Sequence, residues 1–273
     1  MEEEMKVKDT EETISITANK DVAKAVKRYT KATGKEVIFS THLSDKPKDP
    51  DKETVLYAPD PKDPNAIFNV VRELTERTHT DSLDPEKMYS AEINENVIER
   101  KILPFLNARY PGNPNLKSLA NEWAQDLLTR IISYPRIISV MHEVAERYPD
   151  LDEELEHLLR EIAISASEFF TADKEANLPD KVYKGLSSLN VALILLLKDI
   201  GLRKCVRAKK ILIIGRNNLS VKRLSTDLYN IFTSPKYTEP RFVYYGVVAK
   251  AWARSLGLNS WFTWKRGTSK NPD

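Results

Sequence analysis

The chain has 273 residues, of which 42 are Lys or Arg and 40 are Asp or Glu, so its net charge is only +2. Its apolar content of 41% suffices for a folded core and excludes a disordered chain. The single cysteine, Cys205, excludes an internal disulfide framework and a multi-cysteine zinc site. The acidic, polar start of the sequence does not resemble a signal peptide, and the longest apolar run covers only residues 191–197. We therefore expect a soluble, intracellular, cytoplasmic protein without a membrane partner.

The N-terminal part of the sequence predicts a small β-α-β element. Residues 14–17 and 37–40 alternate like short strands, and residues 20–33 between them repeat apolar side chains at helical spacing. A loop rich in Pro, Asp and Lys follows, with a short strand at 54–57 and a helix at about 64–78.

The rest of the chain predicts helices. Pro135 disfavours a helical conformation at the residue before it, so a helix from 116 is expected to end near 133. The stretch 211–214 fits either a strand or a buried helical turn. The other predicted helices cover residues 91–106, 135–148, 151–170, 182–200, 219–232 and 242–256.

These elements predict a mainly α, multi-helix, two-lobed protein with a few short N-terminal strands. We expect three regions along the chain. Residues 1–110 hold the β-α-β element, the Pro-rich loop and helices; residues 111–202 form a central helical core; residues 203–273 form a basic, aromatic-rich helical region.

The small net charge conceals a strong asymmetry along the chain. Residues 1–200 have a net charge of −10, whereas residues 201–273 have a net charge of +12 and hold 10 of the 23 aromatic residues. Basic side chains contact phosphates and exposed rings stack on bases, so this composition is typical of a surface that binds single-stranded nucleic acid. The alternative is that the rings belong to the core and the charges to a solvated rim.

The candidate nucleic-acid-binding residues follow from this composition. Basic side chains are expected to line a phosphate track, and three rings are expected to stack on bases or line the groove. The cluster Trp261–Trp264 could stack on bases, anchor in a neighbouring subunit or close the protein's own core. The candidates are Arg203, Lys204, Arg207, Lys209, Lys210, Arg216, Lys222, Arg223, Tyr244, Tyr245, Trp252 and Arg254.

Motifs that would indicate an enzyme are missing from the sequence. His142 is not followed by the second His that a zinc-protease helix needs, and Glu154 with His157 forms only one of the two pairs of a di-iron bundle. No phosphate loop, dinucleotide-binding loop or nucleophile elbow is present. We therefore expect no catalytic residue, no metal and no cofactor, although an active site whose residues converge only in three dimensions stays open.

Two patches of the chain resemble nucleoproteins of segmented negative-strand RNA viruses, of the orthobunyavirus type. The first is Tyr110-Pro111-Gly112-Asn113 followed by an amphipathic helix over 116–132; the second is Ile213-Ile214-Gly215-Arg216 followed by a basic helix over 219–229. The resemblance implies a helical two-lobed fold, a basic cleft between the lobes for single-stranded RNA, polymerisation on that RNA and location in the virion. It carries over Arg216 as a basic residue of the cleft.

The leading hypothesis is thus a non-enzymatic RNA-binding nucleoprotein that self-associates and encapsidates single-stranded RNA. One alternative is a viral or plasmid DNA-binding protein that uses a C-terminal helix, although the linker 233–241 is long for a helix-turn-helix. Another is a helical scaffold without nucleic acid, whose acidic and basic regions associate head to tail.

Overall fold

A computed structural model gives the fold. It describes all residues except 1–15, 17, 41, 43–44, 58–59, 61–62, 64, 171–176, 204, 238 and 268–273. The described residues are mainly helical with a few short strands, which confirms the predicted mainly α fold class. The chain divides into two compact units: residues 1–82 with 140–155, and residues 83–139 with 156–273. The predicted boundaries at 110 and 202 do not coincide with these units.

The first unit begins with helix α1, Lys20–Thr33, which has the predicted bounds. The side chain of Asn19 accepts hydrogen bonds from the backbone N–H groups of Asp21 and Val22, as an N-cap residue does. Gly34 ends the helix at φ 74°, a left-handed conformation that favours glycine. The predicted strand at 14–17 lies outside the described residues except for Ile16.

Two parallel strands and a second helix follow α1. Strand β1, Glu36–Ser40, pairs with β2, Glu53–Tyr57, in a register that places Glu36 opposite Glu53. Helix α2, Ala66–Thr80, buries Phe68, Val71 and Leu74. These three elements agree with the prediction to within two residues.

A buried glutamate links the elements of the first unit. Glu143 accepts hydrogen bonds from His79 Nε2 at 2.5 Å and from Arg147 Nε at 2.7 Å, and it forms an ion pair with Arg28. Its carboxylate thus connects α1 and α2 to the segment 140–155.

In the second unit, the predicted helix at 91–106 is wrong at its start, where the chain forms a strand. Strand β3, Tyr89–Ile93, pairs antiparallel with strand β4, Phe262–Arg266, with Ala91 opposite Trp264. The helical part begins only at α3, Glu95–Val97, and continues through a π-helical turn, Ile98–Ile102, into α4, Leu103–Arg109. The partner strand lies about 170 residues away in the sequence, so local periodicity could not reveal it.

Helix α5, Leu116–Arg147, corrects the predicted break at Pro135, which lies inside the helix. Its apolar face is buried on both sides of the proline: Ile131 and Ile138 are at most 1% exposed. This burial offsets the cost of an interior proline, about 3 kcal/mol.

The remaining helices lie in the second unit, except that the first four residues of helix α6, Asp152–Glu168, belong to the first unit. Helix α7, Asp180–Ile200, is buried over most of its surface, as predicted, and ends at Gly201. The other helices are α8, Val206–Asn217; α9, Leu219–Thr233; α10, Pro240–Tyr244; and α11, Val247–Ser255.

Candidate nucleic-acid interface

Two consecutive helices, α8 and α9, carry most of the predicted basic site. Both pack against α7. Asn218 lies between them and caps α9: its side-chain oxygen accepts a hydrogen bond from the backbone N–H of Val221 at 3.1 Å. The stretch 211–214, left open as strand or helical turn, is helical.

Helix α8 has one buried face and one basic face. Ala208, Ile211 and Gly215 are buried. A Cβ atom at Gly215 would come within 2.8 Å of Val191 Cγ2, so the glycine allows α8 to approach α7 closely. At 100° per residue, Lys209 and Arg216 lie on the side opposite this contact.

Helix α9 is divided in the same way. Val221, Ser225 and Leu228 are buried, whereas Lys222 and Arg223 are exposed. At 100° per residue, Arg223 lies opposite the buried stripe and Lys222 lies beside it. Asp227 is the acidic side chain within this helix, and it too is exposed.

We define the α8–α9 basic surface by the six exposed cations of these two helices. Within the described part of the chain, no acidic side chain lies within salt-bridge distance of any of the six. Elsewhere in the second unit, some exposed cations, such as Arg160 and Lys265, have carboxylate partners, whereas others, such as Lys117, have none among the described residues. The six cations are Arg207, Lys209, Lys210, Arg216, Lys222 and Arg223.

Of the other three predicted basic residues, two lie outside these helices and one lies outside the described residues. Arg203 precedes α8 and lies 3.4 Å from the carboxylate of Glu156. The sequence spacing suggests that Arg203 shares a helical face with Arg207 and Lys210. It does not, because the helix begins only at Val206. Lys204 lies outside the described residues. Arg254 is exposed on α11, a helix that packs against α9.

Two of the three rings expected to contact bases belong to the core, which corrects that prediction. Tyr244 and Trp252 are 0% exposed. The indole Nε1 of Trp252 donates a hydrogen bond to the carbonyl oxygen of Leu228 at 3.0 Å. Arg136 lies over the ring of Tyr244, 6.0 Å from its centroid. The helical spacing of these aromatics reflects packing rather than base stacking.

Tyr245 is half-buried and holds local structure together. Its hydroxyl oxygen accepts a hydrogen bond from the backbone N–H of Asp84 at 3.4 Å, and its carbonyl oxygen accepts one from Tyr89 at 2.9 Å. The residue therefore connects the end of α10 to the start of β3.

For the C-terminal aromatic cluster, the structure favours the third of the predicted roles. Trp261 and Phe262 are at most 4% exposed. Phe262 lies in β4 opposite Ile93 of β3, and the carbonyl oxygen of Trp261 accepts a hydrogen bond from the backbone N–H of Asn94 at 2.9 Å. The ring of Trp264 lies edge-on to Phe262 at 6.4 Å. The cluster thus closes the core of the second unit.

The helix-turn-helix alternative finds little support in the geometry. Gly246, at φ 76°, separates α10 from α11, so the predicted helix at 242–256 is not continuous. Within α11, Arg254 is exposed while Val248, Ala249 and Trp252 are buried. A recognition helix needs several exposed side chains on one face to read base edges.

Sequence reasoning missed the exposed aliphatic residues around the basic surface. Val206 is 85% exposed, Ile213 46% and Leu219 80%. Each lies on the side of its helix opposite the buried residues, so the helical periodicity of the sequence could have predicted that these aliphatic side chains are exposed. Nearby, the hydroxyl of Tyr229 donates a hydrogen bond to Asp199 at 2.6 Å, and this bond raises the pKa of the tyrosine.

The described residues offer neither a metal site nor a membrane-spanning helix. Within the described ranges, no group of three or more His, Cys, Asp or Glu side chains could hold a metal ion. No described helix combines the length and the apolar character needed to cross a membrane. Comparison with known family models, curated proteins and solved structures finds no match to this chain.

Proposed function

We propose that the chain binds single-stranded RNA through the α8–α9 basic surface, catalyses no reaction, and assembles in several copies along one strand. One observation carries the proposal: six exposed cations on two consecutive helices have no acidic partner among the described residues. Unpaired, solvated cations are free to replace the counterions of a phosphate backbone.

The kind of nucleic acid follows from the resemblance and from the packing. The resemblance to viral nucleoproteins carries over Arg216, one of the six cations, and the basic helix that follows it also holds Lys222 and Arg223. Because Tyr244 and Trp252 are buried, we propose that phosphate contacts rather than base stacking supply the affinity. The expected ligand is single-stranded RNA, bound with little dependence on its sequence.

The test compares two triple charge reversals of equal size. The surface variant is R216E/K222E/R223E. The control variant is R100E/K101E/K117E, which reverses three exposed cations of the second unit that also lack an acidic partner among the described residues. Both change the net charge equally, so a difference between them reports on position.

The readout is the fluorescence anisotropy of a labelled, unstructured RNA of about 20 nucleotides, with protein freed of nucleic acid by nuclease and high salt. We expect the surface variant to lose at least about tenfold in affinity and the control to stay within about threefold of wild type. Equal losses in both variants overturn the site assignment. Tighter binding of duplex DNA than of RNA overturns the choice of ligand and supports the DNA-binding alternative.

A further inference from the structure

Two helices of the second unit carry exposed faces of opposite charge, each with an isoleucine at its middle. On α6, Ile164 is 46% exposed, and Glu161 and Glu168 are exposed three residues before and four residues after it. On α8, Ile213 is also 46% exposed, with Lys209 four residues before it and Arg216 three residues after it.

The charges on the acidic face are available to a partner. The side chain of Glu161 is 62% exposed, and its nearest described partner is the ring nitrogen of His157 at 3.7 Å. Arg160 lies on the same side of α6, but its guanidinium binds Glu156 through two hydrogen bonds of 2.7 and 3.1 Å. The face therefore presents a net negative charge around Ile164.

We propose that the acidic face of α6 docks on the basic face of α8 in a second copy of this chain. When Ile164 is placed against Ile213, each of the two glutamates comes opposite a cation whichever way the helices run, because the charges are spaced by three or four residues on both sides. Burying the two isoleucines removes apolar surface from water, and the charges set the register.

The contact is small, so we expect weak association that depends on salt. A stable interface buries about 800 Å² on each partner, which is more than one pair of helix faces of this length supplies. Screening at high ionic strength weakens exposed pairs, so association should appear at low salt and high protein concentration.

The inference extends the proposed function, because Lys209 and Arg216 belong to both the docking face and the α8–α9 basic surface. A second copy and an RNA strand therefore compete for α8. RNA-free protein self-associates through α6 and α8, and saturating RNA displaces the acidic face.

Sedimentation velocity on RNA-free protein tests the docking, using two charge-reversal variants. The acidic-face variant is E161K/E168K, and the basic-face variant is K209E/R216E. Each alone is expected to sediment as a monomer at about 50 mM salt, where wild type forms a larger species. An equimolar mixture of the two regains the larger species, because each variant again meets the opposite charge. E95K/E99K, which reverses two exposed glutamates on another segment, serves as the control and keeps wild-type association.

Monomeric wild type at low salt, or a mixture of the variants that stays monomeric, overturns the docking proposal. Persistence of the wild-type species with RNA bound overturns the competition. The self-association readout needs no RNA, so the docking proposal can be confirmed even if the RNA proposal fails. RNA binding is judged separately, by the affinity of R216E/K222E/R223E, and loss of association in E161K/E168K does not bear on it.

Discussion

The indole N–H of Trp252 donates to the carbonyl oxygen of Leu228 at 3.0 Å, and this bond ties α11 to α9 beneath the basic surface. The ring of Phe232 lies 6.5 Å from that of Trp252, so aromatic packing accompanies the hydrogen bond. The exposed side of α9 can then present cations while its inner side is fixed by the core.

Replacing Trp252 with Phe keeps an aromatic ring and removes the hydrogen bond. We expect the free energy of unfolding to fall by about 1 to 2 kcal/mol, from the lost bond and the smaller ring. RNA affinity of the folded protein should be unchanged, because the ring does not reach solvent. Urea denaturation and RNA anisotropy measure the two quantities. Weaker RNA binding at unchanged stability would instead indicate that Trp252 stacks on bases.

Gly215 supports a second prediction, on the contact between α8 and α7. In a helix, Gly→Ala ordinarily stabilises by about 1 kcal/mol. Here the new methyl would lie 2.8 Å from Val191 Cγ2, so G215A should lower the free energy of unfolding by about 1 to 3 kcal/mol. V191A makes room for the methyl, and the double variant should be more stable than the two single effects predict when added. Stabilisation by G215A alone contradicts the close packing.

Arg130 organises a polar cluster inside the second unit. Its Nη1 donates hydrogen bonds to Tyr134 and Asn190 at 2.7 and 2.9 Å, and its Nε donates to Asp126 at 2.7 Å. R130A leaves the buried Asn190 without this donor, and we expect a loss of about 2 to 4 kcal/mol. R160A removes a half-exposed guanidinium and leaves Arg203 beside the carboxylate of Glu156, so it is the control and should cost less than about 1 kcal/mol. Equal urea midpoints for the two variants would show that the cluster contributes nothing.

Glu143 makes the stability of the first unit depend on pH. Burial alone would raise its pKa, but the hydrogen bond from His79 and the charge of Arg28 outweigh burial and hold the pKa below its ordinary value of 4.5. The carboxylate of Glu143 therefore binds a proton more readily in the unfolded chain than in the folded one. The stabilisation from Glu143 is complete above the unfolded pKa and is lost as pH falls through 4.5 toward the folded pKa.

E143Q tests this dependence. Near neutral pH the variant should be less stable than wild type by about 2 kcal/mol, since Arg28 and His79 lose their anion. Urea denaturation near pH 4 should show a smaller difference between the two proteins. E146Q, three residues along and exposed, is the control and should match wild type at both pH values. A difference between E143Q and wild type that stays constant with pH contradicts the assignment.

Local sequence patterns predicted those elements whose stability is set within one helix or one turn. Helix α1 has a cap at Asn19, a buried stripe and Gly34 at its end, and its bounds were predicted to the residue. Strand β3 could not be predicted in this way, because its partner β4 lies at the other end of the chain. The predicted helix end before Pro135 is wrong for a related reason. The proline disfavours a helical conformation at the residue before it, but burial of apolar side chains on both sides of the proline overrides this local preference.

For the candidate site, the sequence predicted the cations better than the rings. Charged side chains such as Lys222 are rarely buried without a partner of opposite charge, so the exposure of an unpaired cation follows largely from its residue type. An aromatic ring fits a core or a binding surface equally well, and only the packing partner decides. Trp252 of α11 donates a hydrogen bond to Leu228 of the neighbouring helix α9, and no residue spacing within α11 specifies that contact.

The salt dependence of RNA binding tests the central claim most directly. Six phosphate contacts from the α8–α9 basic surface predict a slope of about −4 for the logarithm of the association constant against the logarithm of salt concentration on single-stranded RNA. R216E/K222E/R223E should reduce the magnitude of that slope by about half or more. A slope near zero, or a slope that the triple variant leaves unchanged, contradicts RNA binding at this surface.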